Sequence, residues 1–258
     1  MKHLTISGSA ASFIGERTGN QDNLRFGSVS SFVDQKETYR DKKSFSTETP
    51  QLFCVCDGVG GEAKGDLASR AALMGVEEYL ASVEYEDDLA DYVLHAAEHA
   101  QMKVCEMYDE LGLYGGTTLV MIGILGDEFV SLNIGDSPIF WYHRKTGKLE
   151  ELSERHNMAW ESIRRGEEPR PGSASQLLKC LGLNYSDFAG AVFMRSGTLK
   201  PGDAVLLCSD GVSEAFTEEK LIHSLKWRRK ASFLCSKAEK VENADNCTAI
   251  CLHIKRGR

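Results

Sequence analysis

The chain has 258 residues, 42% of them hydrophobic and 26% charged, with 38 acidic against 30 basic side chains and a formal net charge of -8. These proportions are those of an ordered soluble protein with a well-buried core, and they speak against disorder. The acidic balance argues against a nucleic-acid partner, because phosphate backbones are bound by surplus Lys and Arg.

The short basic cluster Lys226, Arg228, Arg229 and Lys230 reads, on an acidic chain, as a solvated helix end. A site for phosphate must then bring its own local positive charge, which metal ions can supply. Eight cysteines are scattered and several sit inside apolar runs, so reduced, buried thiols are the better reading than a disulfide framework. Cys54 and Cys56 fall on one face of a strand; with no second close Cys or His pair, core packing is favoured over structural zinc. The N-terminal segment MKHLTISGSAASFIGERTG lacks an apolar stretch long enough for a secretory signal, and no run approaches the length that spans a bilayer. The expected location is cytoplasmic, with no membrane partner.

In chain order, a first strand is expected around Leu24 to Phe26. Residues 27–50 form a long polar stretch, read as the extended loop of a hairpin whose second strand is the apolar run Leu52 to Cys56. The glycine-rich turn DGVGG follows, then a helix from Gly65 to Ala81 with Leu67, Ala71, Met74 and Leu80 at helical spacing. A second helix runs from about Asp87 to Leu111, its stripe passing through Leu89, Val93, Ala96, Ala100, Val104, Met107 and Leu111. Asp87 and Asp88 suit its start, where acidic groups face the positive end of the helix dipole.

TTLVMIGIL, EFVSLNIG and PIFWYHR, rich in β-branched and aromatic residues and parted by turns, read as an antiparallel meander. Short helices are expected around 156–166 and 173–181, strands near 188–194 and 203–208, helices between 212 and 240, and a closing strand NCTAICLHI. No repeat or linker interrupts the chain, so residues 1–258 read as one domain. Grouped strands and helices without strict alternation indicate an α+β fold.

Asp57, Asp210 and Asp245 each lie at an end of an apolar strand, in VCDG, LLCSDG and ENADNCT. If the three strands are neighbours, their carboxylates converge at a sheet rim, which is tolerable only around a cation. Oxygen ligands favour Mg²⁺ or Mn²⁺ over zinc or copper. Taken singly, Asp-Gly at a strand end is an ordinary turn dipeptide. The segment GERTGNQDNLRFG raises the odds of a metal site: Arg17 can grip a phosphate through two parallel hydrogen bonds, and the amide and carboxylate groups of Gln21-Asp22-Asn23 can hold metal-bound waters.

These blocks resemble the metal-dependent protein phosphatases, the type 2C serine/threonine phosphatases, especially their compact bacterial members. The resemblance runs in order through GERTGNQDN, CDGVGGEAKGDLAS, GGTTLVMIGILGDEFVSLNIGDS, LSERHN, QLLKCLG, LKPGDAVLLCSDGVSEAF and ADNCTAI. It implies a sandwich of two antiparallel sheets flanked by helix pairs, with two divalent cations, Mn²⁺ or Mg²⁺, at one end. By motif, Asp57 looks like the carboxylate bridging both metals, the Gly58 carbonyl like a ligand of the second, and Asp210 and Asp245 like ligands of the first. Arg17 is similar to the phosphate clamp, and Asp22 to a residue that orients metal-bound water. Residues 154–172 correspond to a flap bordering the cleft.

The implied reaction is hydrolysis of phosphoserine and phosphothreonine in phosphorylated protein substrates, opposing a Ser/Thr kinase. Paired cations activate water and stabilise the phosphoryl oxygens, so no nucleophilic side chain is required. Cys56 and Cys208 open no glycine-rich anion loop ending in Arg and read as strand-core residues. His156 is a candidate general acid or else a polar flap residue.

The chain departs from the family pattern at Gln21, where a Glu usually helps hold the second metal; an amide keeps an oxygen but brings no charge. Val59 and Glu62 replace common residues of the glycine turn, and Pro138 replaces an Arg. Leu113 and Tyr114 stand where a third-metal carboxylate is expected, with Asp109 and Glu110 out of register, so no third site is assigned. The departures leave a rival, a catalytically weak or inactive relative that binds phosphoproteins as a regulatory module. A metal-dependent phosphodiesterase fits the metal chemistry but neither the charge balance nor the motif order.

Overall fold

The computed structural model describes residues 3–27, 30–31, 38–59, 64–85 and 88–257. The readings at Glu62 and Asp87, and part of the polar stretch 27–50, lie outside these residues.

Strand β5 (Gln51–Val59) shows why the architecture needs four layers. Phe53 and Val55 point to one side and Leu52, Cys54 and Cys56 to the other, and both sets are buried. A strand apolar on both faces must be covered on both. One face meets a second sheet and the other meets helices.

The first sheet holds β1 (Leu4–Phe13), β4 (Tyr39–Ser46), β9 (Ile139–Tyr142), β10 (Leu149–Glu151), β12 (Ala204–Cys208) and β13 (Cys247–Arg256), in the order β10-β9-β12-β13-β1-β4. The second holds β2 (Asp22–Phe26), β3 (Ser30–Ser31), β5, β7 (Leu119–Leu125), β8 (Glu128–Ile134) and β11 (Phe193–Thr198), in the order β11-β8-β7-β5-β2-β3, while β6 (Gly116–Thr117) pairs the end of β5. Ile6, Phe26, Phe53, Val120, Leu207 and Ile250 pack in the space between them. Helices α1 (Gly65–Ser82) and α2 (Leu89–Leu111) cover the outer face of the second sheet through Ala68, Ala72, Val76, Val93 and Val104. Helices α4 (Asp210–Ser213), α5 (Glu218–Lys226) and α6 (Ala231–Ala238) cover the first through Leu221, Leu225, Leu234 and Cys235. The expected α+β sandwich flanked by helices is the observed fold.

Several expectations are corrected. The polar stretch is not one hairpin loop: β2 does pair β5, but the chain between them carries β4 across to the edge of β1 in the other sheet. There Phe45 sits edge-on to Phe26 and Phe53, each at 5.1 Å between ring centroids, and with Tyr39 it anchors an otherwise polar edge strand to the core. The three-strand meander breaks after β8, because β9 crosses to the first sheet and pairs β12 and β10.

No helix forms over 173–181; that stretch is held as irregular chain by bridges Asn157↔Leu177 and Thr117↔Leu181. The strand expected at 188–194 lies at Phe193–Thr198. On α1 the buried stripe is Ala68, Ala72, Leu73 and Val76 rather than one through Met74, which is 39% exposed, because this helix approaches its neighbours through small side chains. Strand β1 escaped detection: LTISGSAASF is too rich in small residues to read as a strand, yet it is flanked on both edges by β13 and β4.

The chain switches sheets repeatedly at one rim. The start of β2 and end of β5 meet there, as Asp22 pairs with Asp57. The end of β1 meets the start of β13, and β12 ends beside them.

Candidate metal centre

The loop from β1 to β2 carries Arg17 and Gln21, and one side chain pins it. Asn246 donates through Nδ2 to the carbonyls of Ile14 and Gly19, at 2.8 and 3.0 Å, and its Oδ1 accepts from the Gln21 amide at 2.8 Å. A single buried amide thus fixes both ends of the loop, next in sequence to Asp245. Asn246 was not foreseen, although the Asp-Asn pair at the start of a strand was its signal.

The glycines following Asp57 and Asp210 are not turn glycines, since neither has a positive φ. A Cβ on Gly58 would lie 2.2 Å from the Gly65 carbonyl oxygen, and one on Gly211 would lie 2.2 Å from that of Asn246. Both positions need glycine because another backbone passes against them. The plain turn reading of these dipeptides is therefore displaced by close packing of the rim.

Arg17, Gln21, Asp57, Gly58, Asp210 and Asp245 line one cleft of about 660 Å³, joined by Asp66 and Asp136. The aspartates do not come from three neighbouring strands. Asp210 follows β12 and Asp245 precedes β13, strands adjacent in the first sheet, and Asp57 faces them from the second, so the site spans the end of the sandwich. Asp22 does not line the cleft; it is fully buried behind it, accepting at Oδ2 from Ser209 Oγ at 2.8 Å. Ser209 Oγ in turn accepts from the Thr248 amide.

The cleft is electrostatically unbalanced. Burial, then Asp22 and Asp210, pushes the Asp57 carboxyl well above the usual range. Burial raises Asp22 to about 7 despite the Thr248 and Ser209 hydroxyls, and raises Asp136 to about 6 with help from Asp210. Asp210 is raised too, by burial and then Asp245. Asp22 Oδ1 is buried with no hydrogen-bond partner. Among the described residues no three His, Cys, Asp or Glu side chains form a ready-made chelate. The donor set nonetheless fits divalent cations: oxygen ligands only, an excess of converging negative charge, and one orphaned carboxylate oxygen beneath the floor. Arg17 is the cleft's own cation, donating through Nη2 to Asp245 Oδ2 at 2.6 Å.

Beside the cleft, helix α3 (Met158–Arg164) lies within residues 154–172, the stretch that the family resemblance assigns to a flap. Its cap, Asn157, accepts at Oδ1 from the Trp160 amide at 2.9 Å and donates through Nδ2 to Asp136 Oδ2 at 3.2 Å. The flap is thus tied to a cleft carboxylate, Asp136, that follows β8 in the Gly-Asp-Ser turn. His156 is buried, and its Nδ1 accepts from the Gly135 amide at 3.2 Å. Burial pushes its pKa down to about 4, so it is neutral at pH 7 and holds the flap's base, which speaks against a general acid.

A family model described as Protein phosphatase 2C matches residues 31–246, a span that includes Asp57, Asp210 and Asp245. The chain belongs to that family. The serine/threonine phosphatase Stp of Listeria monocytogenes is 28% identical over 215 residues, covering 77% of this chain and 82% of that one. The crystal structure of the Mycobacterium tuberculosis serine/threonine phosphatase PstP/Ppp superposes with a TM-score of 0.78 at 21% identity, over 98% of this chain and 100% of the other. The catalytic domain of PstP, solved in complex with two manganese ions, gives 0.75 at 21% identity over 98% and 99% of the chains. The chain is a metal-dependent phosphatase of this bacterial serine/threonine type.

Proposed function

We propose that the chain hydrolyses phosphoserine and phosphothreonine in phosphorylated proteins, opposing a Ser/Thr kinase in the cytoplasm. The observation that carries the reading is the convergence of Asp57, Asp136, Asp210 and Asp245 on one cleft beside Arg17. Among the described residues no helix is long and apolar enough to cross a membrane, in keeping with a substrate met in solution.

Asp57, the Gly58 carbonyl, Asp210 and Asp245 would hold two divalent cations, Mn²⁺ or Mg²⁺, with the Gln21 amide oxygen beside the second; the PstP structure with two manganese ions supports that number. Bound there, the cations supply an activated water and stabilise charge on the phosphoryl oxygens. The protein's own groups do the rest. Arg17, on a loop pinned by Asn246, presents its guanidinium at the mouth to take the phosphoryl oxygens as a bidentate clamp. Asp22, held by Ser209, orients water from below the floor. The flap, tied to Asp136 through Asn157, borders the substrate's approach.

The test is phosphate release from a phosphothreonine peptide with Mn²⁺, Mg²⁺ or excess chelator. Turnover that requires metal supports the reading. Peptide binding without turnover at any metal concentration would make the chain a phosphoprotein-binding module instead.

A further inference from the structure

The basic segment read from sequence as a solvated helix end is part of a built hollow. Between α5 and α6, outside the first sheet, lies a groove of about 680 Å³ lined by Phe216 and Phe233, by the cations Lys220, Arg229 and Lys237, and by a single acid, Glu219. The Arg229 guanidinium stands 4.9 Å from the Phe233 ring centroid, and the Lys237 ammonium 5.9 Å from it. A further hollow of about 470 Å³ continues past Arg229 to Trp227, which is 63% exposed.

What sets this surface apart is a local excess of basic side chains placed beside aromatic rings. Residues 217–241 hold seven Lys and Arg against three Glu, in a chain where acidic residues outnumber basic ones 38 to 30. Lys220, Arg229 and Lys237 form no ion pair among the described residues, so their charges are open to a partner. Cations without ion pairs, set over the half-buried rings of Phe216 and Phe233, leave both an apolar and an electrostatic surface open to a partner.

We propose that the α5–α6 groove is a docking site for an acidic peptide segment of a partner protein, distinct from the catalytic cleft. One aromatic or aliphatic side chain of the segment packs against Phe216 and Phe233, and flanking carboxylates pair with Lys220, Arg229 and Lys237. A second copy of this chain offering the same face would set cations against cations, which disfavours self-association there. No residue lining the groove lines the metal cleft, so docking and hydrolysis are separable.

The test is fluorescence anisotropy of a labelled peptide of Asp and Glu around a central Phe-Leu, titrated with the full chain at low and high salt. Wild type binds, more weakly as salt rises. The triple variant Lys220→Glu, Arg229→Glu, Lys237→Glu loses at least about tenfold in affinity, and so does wild type toward a peptide with Ser-Ser at its centre. Turnover of a small aryl phosphate stays at the wild-type level in that variant, which also reports that it has folded. Should it not fold, Lys220→Ser with Lys237→Ser replaces it. No binding by wild type, or equal binding by the folded variant, overturns the proposal. So does a wild-type dimer that the variant abolishes, or groove-dependent binding to phosphatidylserine vesicles without peptide binding.

Discussion

Arg17 Nη2 lies 2.6 Å from Asp245 Oδ2, so the side chain proposed to hold phosphate is paired with a carboxylate proposed to hold metal. Both are open to solvent, 59% and 40% exposed. An exposed pair of this kind contributes at most about 1 kcal/mol and gives way readily when either partner finds a stronger one.

Arg17→Ala is therefore expected to lower kcat/KM for a phosphopeptide about ten- to a hundred-fold, through loss of a bidentate contact to a charged group. Mn²⁺ affinity should stay the same or tighten slightly, because Asp245 no longer has a competing cation. Kinetics at saturating Mn²⁺, with a metal titration alongside, checks both; weaker metal binding with normal kinetics would reverse the assignment.

Gln21 lines the cleft with its backbone clamped by Asn246, Gly58 and Ser69. Gln21→Glu adds one negative charge without disturbing that frame. The expected outcome is a lower Mn²⁺ concentration for half-maximal activity than wild type needs, with Mn²⁺ outperforming Mg²⁺ in the natural protein. Equal half-saturation values in the two titrations would remove Gln21 from the metal's surroundings.

His156 makes a prediction about pH. Its folded pKa is depressed from the ordinary 6.5 to about 4. Above 6.5 both states are neutral there and the contribution is complete. As pH falls from 6.5 towards 4 only the unfolded chain takes up the proton, so stability declines, by on the order of 3 kcal/mol at the bottom of the window. His156→Asn, which keeps an acceptor for the Gly135 amide, should flatten this slope in urea unfolding at pH 7 and pH 5. Unchanged slopes would show that another group sets the acid sensitivity, and a lost alkaline limb in the activity profile would restore His156 as a general acid.

Asn246→Ala removes three hydrogen bonds that hold the loop of Arg17 and Gln21. Leaving buried partners unsatisfied should cost about 1 to 3 kcal/mol in thermal unfolding and raise KM for the phosphopeptide. A wild-type KM alongside lowered stability would make Asn246 a fold residue alone.

The sequence disclosed the parts of this protein that repeat a local rule. The period of α2 and the apolar runs of β5, β7, β8 and β12 all follow from side-chain spacing, and the aspartates were visible as strand ends. What depends on distant contacts was not visible. Strand β4 is polar and becomes a strand only because β1 offers it an edge. Asp136 lies in a Gly-Asp-Ser turn, and only the crossing from β8 to β9 brings it to the rim. The convergence of Asp57 with Asp210 and Asp245 was anticipated on the wrong ground: it occurs across two sheets rather than along one.

The central claim is that these carboxylates hold two divalent cations. Manganese content after equilibrium dialysis, measured on wild type and on Asp57→Asn, tests it without reference to turnover. The expected result is two Mn²⁺ per wild-type chain and loss of at least one in Asp57→Asn, because Asp57 faces both Asp210 and Asp245 across the cleft. Wild type that retains no Mn²⁺, or Asp57→Asn that retains both ions as tightly, would contradict it.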